Sequence, residues 1–325
     1  MPRVVTFDET GGPEVLHIVE EPITEPGPGE VRIRIEAFGV NRLDQMARAG
    51  IGPRPSRLPR ARLGVEGTGV IDAAGPQVEG VAGGDAVLIA ALPDADVRGT
   101  YAEYTVVPAG TVVARPAGLS VIDAAALWVS YSTAYGALVE KAGMRPGDQV
   151  VITAASSSVG LAAIQVANQI GAVPIAVTSH AAKKDALLAA GAAAVIASDE
   201  ENVTEAVRRE TGGVGADIIL DSVMGPGLAE LASAAKFGGT VITVGWLDPR
   251  PASFPANPVT IHRYASFEHT LDPVVVRRIA AFLGAGLRYG AVQPTIDAVF
   301  AFEDVVEAHR HLEQGQQVGK VVVTV

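Results

Sequence analysis

Residues 149–160 read Gln149-Val150-Val151-Ile152-Thr153-Ala154-Ala155-Ser156-Ser157-Ser158-Val159-Gly160. The first half is an apolar run of one strand's length, as expected of a parallel strand buried on both faces. A turn of small residues follows, and then a helical pattern. The alternation continues downstream: helix 159–170, strand 173–178, helix 181–190, strand 193–197, helix 201–211, strand 216–221, helix 226–236 and strand 240–245. Strands and helices at this spacing predict a doubly wound parallel α/β sheet of the Rossmann type.

The turn Ala155-Ser156-Ser157-Ser158-Val159-Gly160 occupies the place of a dinucleotide fingerprint, of which only Gly160 remains. Compact side chains still allow backbone N–H groups and the helix N-terminus to reach a pyrophosphate. Ser157 and Ser158 add hydroxyl donors, and Gly160 permits close helix–strand packing. A plain βα turn of small residues would look the same, so the strand–helix context carries the argument. The next strand ends in Thr178-Ser179-His180, with no acid before Asp185 and with Lys183 and Lys184 close by. An NAD site usually carries an acid here for the ribose hydroxyl. Neutral hydroxyls and ammonium groups suit a 2′-phosphate instead, which predicts NADP(H). One of the two lysines is expected to be an ordinary solvated helix start. The loops Asp221-Ser222-Val223 and Val244-Gly245-Trp246 end the fourth and fifth strands, where ligands of such sheets lie.

Outside this block the texture changes. Residues 1 to about 115 are dense in Gly and Pro and read as short strands joined by turns, among them 31–35, 70–75 and 85–89. Asp123 to Lys141 has helical spacing. A helix at about 273–286, a strand-like 294–302, a helix at 303–313 and a strand at 320–325 close the chain. Strand-rich ends around one α/β insert predict that the two ends fold together.

The chain has 325 residues, 25 Lys and Arg against 36 Asp and Glu, and no cysteine. That excludes disulfides, Fe–S clusters, thiolate zinc and a cysteine nucleophile. The acidic balance argues against a nucleic-acid partner or an anionic membrane, both of which require a basic face. The start lacks a signal-peptide pattern and no uninterrupted apolar stretch of 18 residues occurs, so a cytoplasmic protein is expected. The pair His309 and His311 would point apart on a helix and is read as surface.

Several motifs, in order along nearly the whole chain, resemble the medium-chain dehydrogenase/reductase superfamily, and within it the zinc-independent NADPH:quinone oxidoreductase-like branch. They are Gly11-Gly12-Pro13-Glu14-Val15-Leu16, Gly39-Val40-Asn41-Arg42-Leu43-Asp44, Gly64-Val65-Glu66-Gly67-Thr68-Gly69-Val70 and Gly99-Thr100-Tyr101-Ala102-Glu103-Tyr104. Thr133-Ala134-Tyr135, the serine loop and Val318-Gly319-Lys320-Val321 complete the set. The resemblance implies a strand-rich GroES-like catalytic domain (1–122 with 266–325) and a Rossmann-type domain (123–265). Zinc alcohol dehydrogenases of the superfamily carry a ligand histidine where this chain has Val65, so no zinc is expected. The resemblance further implies hydride transfer from NADPH to a quinone or an α,β-unsaturated carbonyl, and a homodimer paired through the Rossmann sheet, with Thr240–Val244 as its edge.

Asn41 is the candidate facing nicotinamide or substrate carbonyl, against a competing role bracing its loop. Asp44 either orients Asn41 or caps the following helix. Met46 stands where quinone reductases carry tyrosine, which removes one proton donor. The proton then comes from Tyr131, from a substrate-bound water or from solvent. Trp128 is a second aromatic at the pocket, while Thr133 and Lys320 match family positions near the cofactor. A non-catalytic NADPH-binding sensor and a tailoring enoyl or imine reductase are the alternative readings.

Overall fold

The computed structural model describes all 325 residues. In chain order the first part comprises strands β1 (Arg3–Phe7), β2 (His17–Glu20) and β3 (Glu30–Val40), helix α1 (Arg42–Arg48), and strands β4 (Ala61–Arg62), β5 (Thr68–Ala74) and β6 (Ala86–Ile89). Helix α2 (Ala95–Arg98), strands β7 (Tyr104–Pro108) and β8 (Val112–Ala114), and helix α3 (Val121–Tyr135) follow. The α/β block holds β9 (Gln149–Ile152), α4 (Ser158–Ile170), β10 (Val173–Thr178), α5 (Lys184–Ala189), β11 (Ala194–Ala197) and α6 (Val203–Glu210). It continues with β12 (Ala216–Asp221), α7 (Leu228–Ala232), β13 (Ala235–Thr243), β14 (Thr260–Arg263), α8 (Phe267–Thr270) and α9 (Pro273–Tyr289). β15 (Ile296–Ala301), α10 (Val305–Gln314) and β16 (Lys320–Thr324) end the chain.

Two compact units result, one of Met1–Val129 with Thr270–Val276 and Pro294–Val325, the other of Ser130–His269 with Arg277–Gln293. In the first, β15-β16-β3-β5-β6-β8 form one sheet, with β7 also on β3, and β2-β1-β4 form a second. β16 pairs antiparallel with β3, so the last strand of the chain lies beside the N-terminal segment that carries Gly39 and Val40. Alternating residues of β3, Val31, Ile33 and Ile35, are almost wholly buried with Phe7, Phe38, Tyr101, Phe302 and Val323. Each such side chain removed from water contributes about 1.5–3 kcal/mol.

The second unit is a six-stranded, all-parallel sheet in the order β11-β10-β9-β12-β13-β14. The order reverses between β9 and β12, and the crevice outside those carboxyl ends is where such sheets bind ligands. Val150, Val151 and Ile152 are fully buried, as the unbroken apolar run requires.

Several readings of the sequence need correction. The helix expected at 226–236 shrinks to Leu228–Ala232, and β13 begins at Ala235 rather than 240, with a bulge opposite Ala216–Ile218. Gly238 takes a φ of +72° there, which the glycine admits without strain. β13 is not an edge: β14 pairs along its outer side, so Thr240–Val244 is interior. His309 is fully buried, whereas His311 is half-buried beside Asp297 at 2.6 Å. The i, i+2 offset does separate the two rings, but α10 turns the first of them into the core.

α3 does not run on as a regular helix to Lys141. From Gly136 to Lys141 it widens into a π-helix. A Cβ on Gly136 would overlap the Tyr264 hydroxyl and lie 2.9 Å from its Cζ, so only glycine lets that tyrosine in. Gly136→Ala is expected to cost about 1–3 kcal/mol by overpacking, read as a lower thermal midpoint. Tyr264→Phe, which removes the obstructing hydroxyl, should restore part of the loss in the double variant. Unchanged stability of Gly136→Ala would contradict this packing.

Candidate active site

The loop after β9 is built to present the start of α4. Ser157 is its N-cap, and the Ser157 Oγ accepts from the Gly160 N–H at 3.1 Å. A Cβ on Gly160 would stand 2.6 Å from Ala155 Cα and 2.7 Å from the Ala154 carbonyl, so helix and strand meet through the missing side chain. Ala155 is fully buried and Ser156 nearly so, while Ser157, Ser158 and Val159 are half-buried. The positive end of the helix dipole therefore coincides with a loop of small, hydroxyl-bearing residues, the donor set that suits a phosphate.

The two lysines after β10 separate clearly. Lys183 Nζ lies 3.2 Å from Ser156 Oγ, over the phosphate loop, whereas Lys184 Nζ pairs with Glu200 at 2.5 Å. Thr178 is buried; Ser179 and His180 are exposed. The structure also brings up an acid that the sequence order concealed. Asp199, just beyond β11, accepts the Ala181 N–H with both oxygens at 3.2 Å. It lies 18 residues downstream, and only the parallel pairing of β10 with β11 places it there.

Across the switch point, Thr153 Oγ1 donates to Asp221 Oδ1 at 2.7 Å. Asp221 is fully buried and also accepts from the N–H groups of Val223 (3.1 Å) and Met224 (2.8 Å). Ser222 N–H donates to Thr153 Oγ1 at 2.9 Å. Val244 N–H donates to the Asp221 carbonyl, which ties the loop after β13 to the loop after β12. Trp246 lies under the Arg263 guanidinium, 4.6 Å from ring centroid to Cζ. Gly245 packs against Ser222, whose carbonyl is 3.0 Å from where a Cβ would stand. Two non-glycine residues here have positive φ, Ala154 (46°) and Met224 (59°). Such conformations cost on the order of 1–3 kcal/mol and collect at functional sites.

The first unit holds a second polar assembly. Lys320 Nζ donates to Asn41 Oδ1 at 2.6 Å and to Glu66 Oε1. Asn41 Nδ2 donates to the same Glu66 oxygen at 3.0 Å, and the other Glu66 oxygen accepts from Val129 N–H at 2.8 Å. All three side chains are more than nine-tenths buried. The sequence marked Asn41 and Lys320 but gave Glu66 no role, although it stands at the centre of the G-V-E-G motif. Asp44 is the reciprocal member of a capping box with Asn41, accepting its N–H at 2.9 Å, and it also accepts from Gly64 N–H at 3.0 Å. The Tyr101 hydroxyl lies 3.2 Å from His309 Nε2. Burial and the adjacent Arg48 push His309 down to about 3, so its ring is neutral.

Of the aromatic candidates, Tyr131 donates its hydroxyl to Gln165 Oε1 at 2.7 Å, and Trp128 donates Nε1–H to the Ala90 carbonyl at 2.6 Å. Both are 2% exposed. Thr133, two residues after Tyr131 on α3, is buried.

Burial raises the Asp44 carboxyl from 3.8 to about 6, against the opposing pull of the Asn41 N–H and Lys320. Folding therefore takes up a proton between those values. The contribution of Asp44 to stability is full below about pH 4 and is lost as pH rises through about 6. Relative to non-titrating Asp44→Asn, wild-type stability should fall by about 3 kcal/mol across that window, measured by urea unfolding. A difference that stays constant or grows with pH would contradict the assignment.

Comparison with known proteins places this geometry. The alcohol dehydrogenase GroES-like domain model matches residues 27–117, and the zinc-binding dehydrogenase model matches residues 190–323. The second description names a zinc-binding family. Val65 has no donor atom, and no group of three or more His, Asp or Glu side chains is disposed to hold a metal ion. Homo sapiens quinone oxidoreductase is 31% identical over 326 residues, covering 99% of this chain and 97% of its own. A segment of erythronolide synthase EryA2 from Saccharopolyspora erythraea is 33% identical over 313 residues, 94% of this chain and 8% of that one. The crystal structure of Escherichia coli quinone oxidoreductase complexed with NADPH superposes with a TM-score of 0.93 at 25% identity, over 99% of this chain and 100% of that chain. The Rossmann and GroES-like units, the motifs in their order and this likeness over the full length lead to one assignment: the chain belongs to the medium-chain dehydrogenase/reductase superfamily, in its quinone-oxidoreductase-like branch.

Proposed function

We propose that this protein is an NADPH-dependent oxidoreductase that reduces a quinone or an α,β-unsaturated carbonyl without a metal. The observation that carries the cofactor choice is the position of Lys183, its ammonium 3.2 Å from the Ser156 hydroxyl of the phosphate loop. An ammonium there favours a 2′-phosphate; Thr178 and Ser179 add no charge, and the nearby Asp199 carboxylate is engaged by the Ala181 N–H. The likeness to an NADPH-bound quinone oxidoreductase over the full chain supports the same choice.

NADPH, when bound, supplies the hydride. The chain supplies the rest. The Ser157-capped end of α4 faces the pyrophosphate, with Ser158, Val159 and Gly160 as its first residues. Lys183 holds the 2′-phosphate, and the paired Lys184 is the solvated helix start. Ser222, Val223, Val244, Gly245 and Trp246 flank the nicotinamide end of the crevice, held in place by the Asp221 clasp. Thr133 belongs to the same cofactor set. Asn41, Asp44 and Lys320 are positioning residues, because their polar atoms hold one another and Glu66. The Tyr131 hydroxyl is hydrogen-bonded to Gln165 Oε1, so solvent or a substrate-bound water protonates the product. A homodimer and a cytoplasmic location belong to the same proposal.

A second reading, reduction of an enoyl group on a biosynthetic intermediate, is favoured by the likeness to erythronolide synthase along 94% of the chain. Anaerobic oxidation of NADPH and NADH against ortho-quinones, para-quinones, enals, enones and an enoyl thioester separates these readings. Turnover at least about tenfold higher in kcat/KM with NADPH, a difference of 1.4 kcal/mol, is expected with a quinone or enone. Response to the thioester alone would select the second reading. No turnover with any acceptor would overturn both.

A further inference from the structure

The feature of the α/β unit that its fold does not require is Met224. Its backbone sits at φ 59° and ψ −137°, a region glycine enters freely and other residues almost never. The next residue, Gly225, also has a positive φ of 66°. The loop is held there from several sides. Asp221 accepts the N–H groups of Val223 and Met224, and Asp248 N–H donates to the Val223 carbonyl at 2.9 Å. The Asp248 side chain closes on Gly225, its Cγ 2.5 Å from where a Cβ would be. Glycine at 224 would remove the strain at no cost to these bonds, yet the chain keeps a thioether.

A second observation concerns what surrounds it. Val223 is 37% exposed and Leu247 49% exposed, on two loops joined by the bonds from Leu247 N–H to the Ser222 carbonyl and from Asp248 N–H to Val223. With half-buried Met224 they are apolar residues on adjoining loops at the carboxyl ends of β12 and β13, the end of the sheet where ligands bind. An apolar surface beside a polar phosphate loop is suited to the uncharged, planar end of a bound system, and a thioether packs well on aromatic rings.

Resting on the oxidoreductase reading, we propose that Met224 is a specificity-determining residue. Its side chain forms the wall on which a polycyclic aromatic acceptor packs, and the backbone strain persists because that contact needs a side chain at this position. Small acceptors, which do not reach the wall, are indifferent to it.

The test compares wild type, Met224→Gly and Met224→Ala with 9,10-phenanthrenequinone and acrolein as acceptors, alongside the Kd for NADPH. Met224→Gly relieves the strain and should raise Tm by roughly 2–6 °C; Met224→Ala keeps the strain and loses the wall. Both should raise KM for the aromatic quinone about tenfold, leave kcat/KM for acrolein within about twofold, and leave the NADPH Kd within about twofold. A higher Tm with unchanged quinone kinetics would overturn the proposal, as would equal losses with both acceptors. Wild-type protein that binds NADPH but reduces neither acceptor would overturn it as well. Wild-type protein that does not bind NADPH would overturn the underlying reading itself, a result the binding measurement distinguishes from the others.

Discussion

The buried ion pair of Lys320 with Glu66 is the contact on which the first unit is organised. Its ammonium comes from the last strand, its carboxylate from the segment before β5, and Asn41 joins them from the end of β3. A charge pair so deeply buried gives little net stability unless its remaining donors and acceptors are matched. Here the second carboxylate oxygen takes the Val129 N–H of α3, and the Asn41 amide bridges both charges. The assembly also explains a glycine. A Cβ on Gly39 would lie 2.5 Å from Lys320 Cε and 2.7 Å from the Ala125 carbonyl. Three motifs far apart in sequence, around Asn41, Glu66 and Lys320, thus serve one interaction.

Physical demands on the second unit are different. Parallel strands leave their ligand-side loops without ladder partners, so the backbone groups there need other acceptors. Asp221 meets much of that need, and Ser157 meets part of it at α4. Rigid support of this kind lets the loops tolerate positive φ at Ala154 and Met224.

Much of the architecture was legible because it is local. The period and length of apolar runs located β12 at Ala216–Asp221 and β10 at Val173–Thr178, and small residues marked the turn between β9 and α4. What escaped depends on long-range packing. Thr260-Ile261-His262-Arg263 has no strand pattern of its own and becomes β14 only by pairing with β13. The burial of His309 requires Tyr101, 208 residues away, as its partner. Glu66 looked like one letter of a motif because its three partners lie just after β3, in α3 and in β16. Asp199 reaches the end of β10 only through the neighbouring strand, and the sequence could not separate Lys183 from Lys184, since Ser156 and Glu200 make the distinction.

Equilibrium binding of NADPH and NADH to wild type, Lys183→Ala and Lys184→Ala decides whether the α/β unit reads a 2′-phosphate through Lys183. Wild type should prefer NADPH. Lys183→Ala should weaken NADPH about tenfold or more, the scale of one charge-assisted hydrogen bond, with NADH nearly unchanged, and Lys184→Ala should leave both affinities within about twofold. Equal losses for the two cofactors in Lys183→Ala, or a wild-type preference for NADH, would contradict the account.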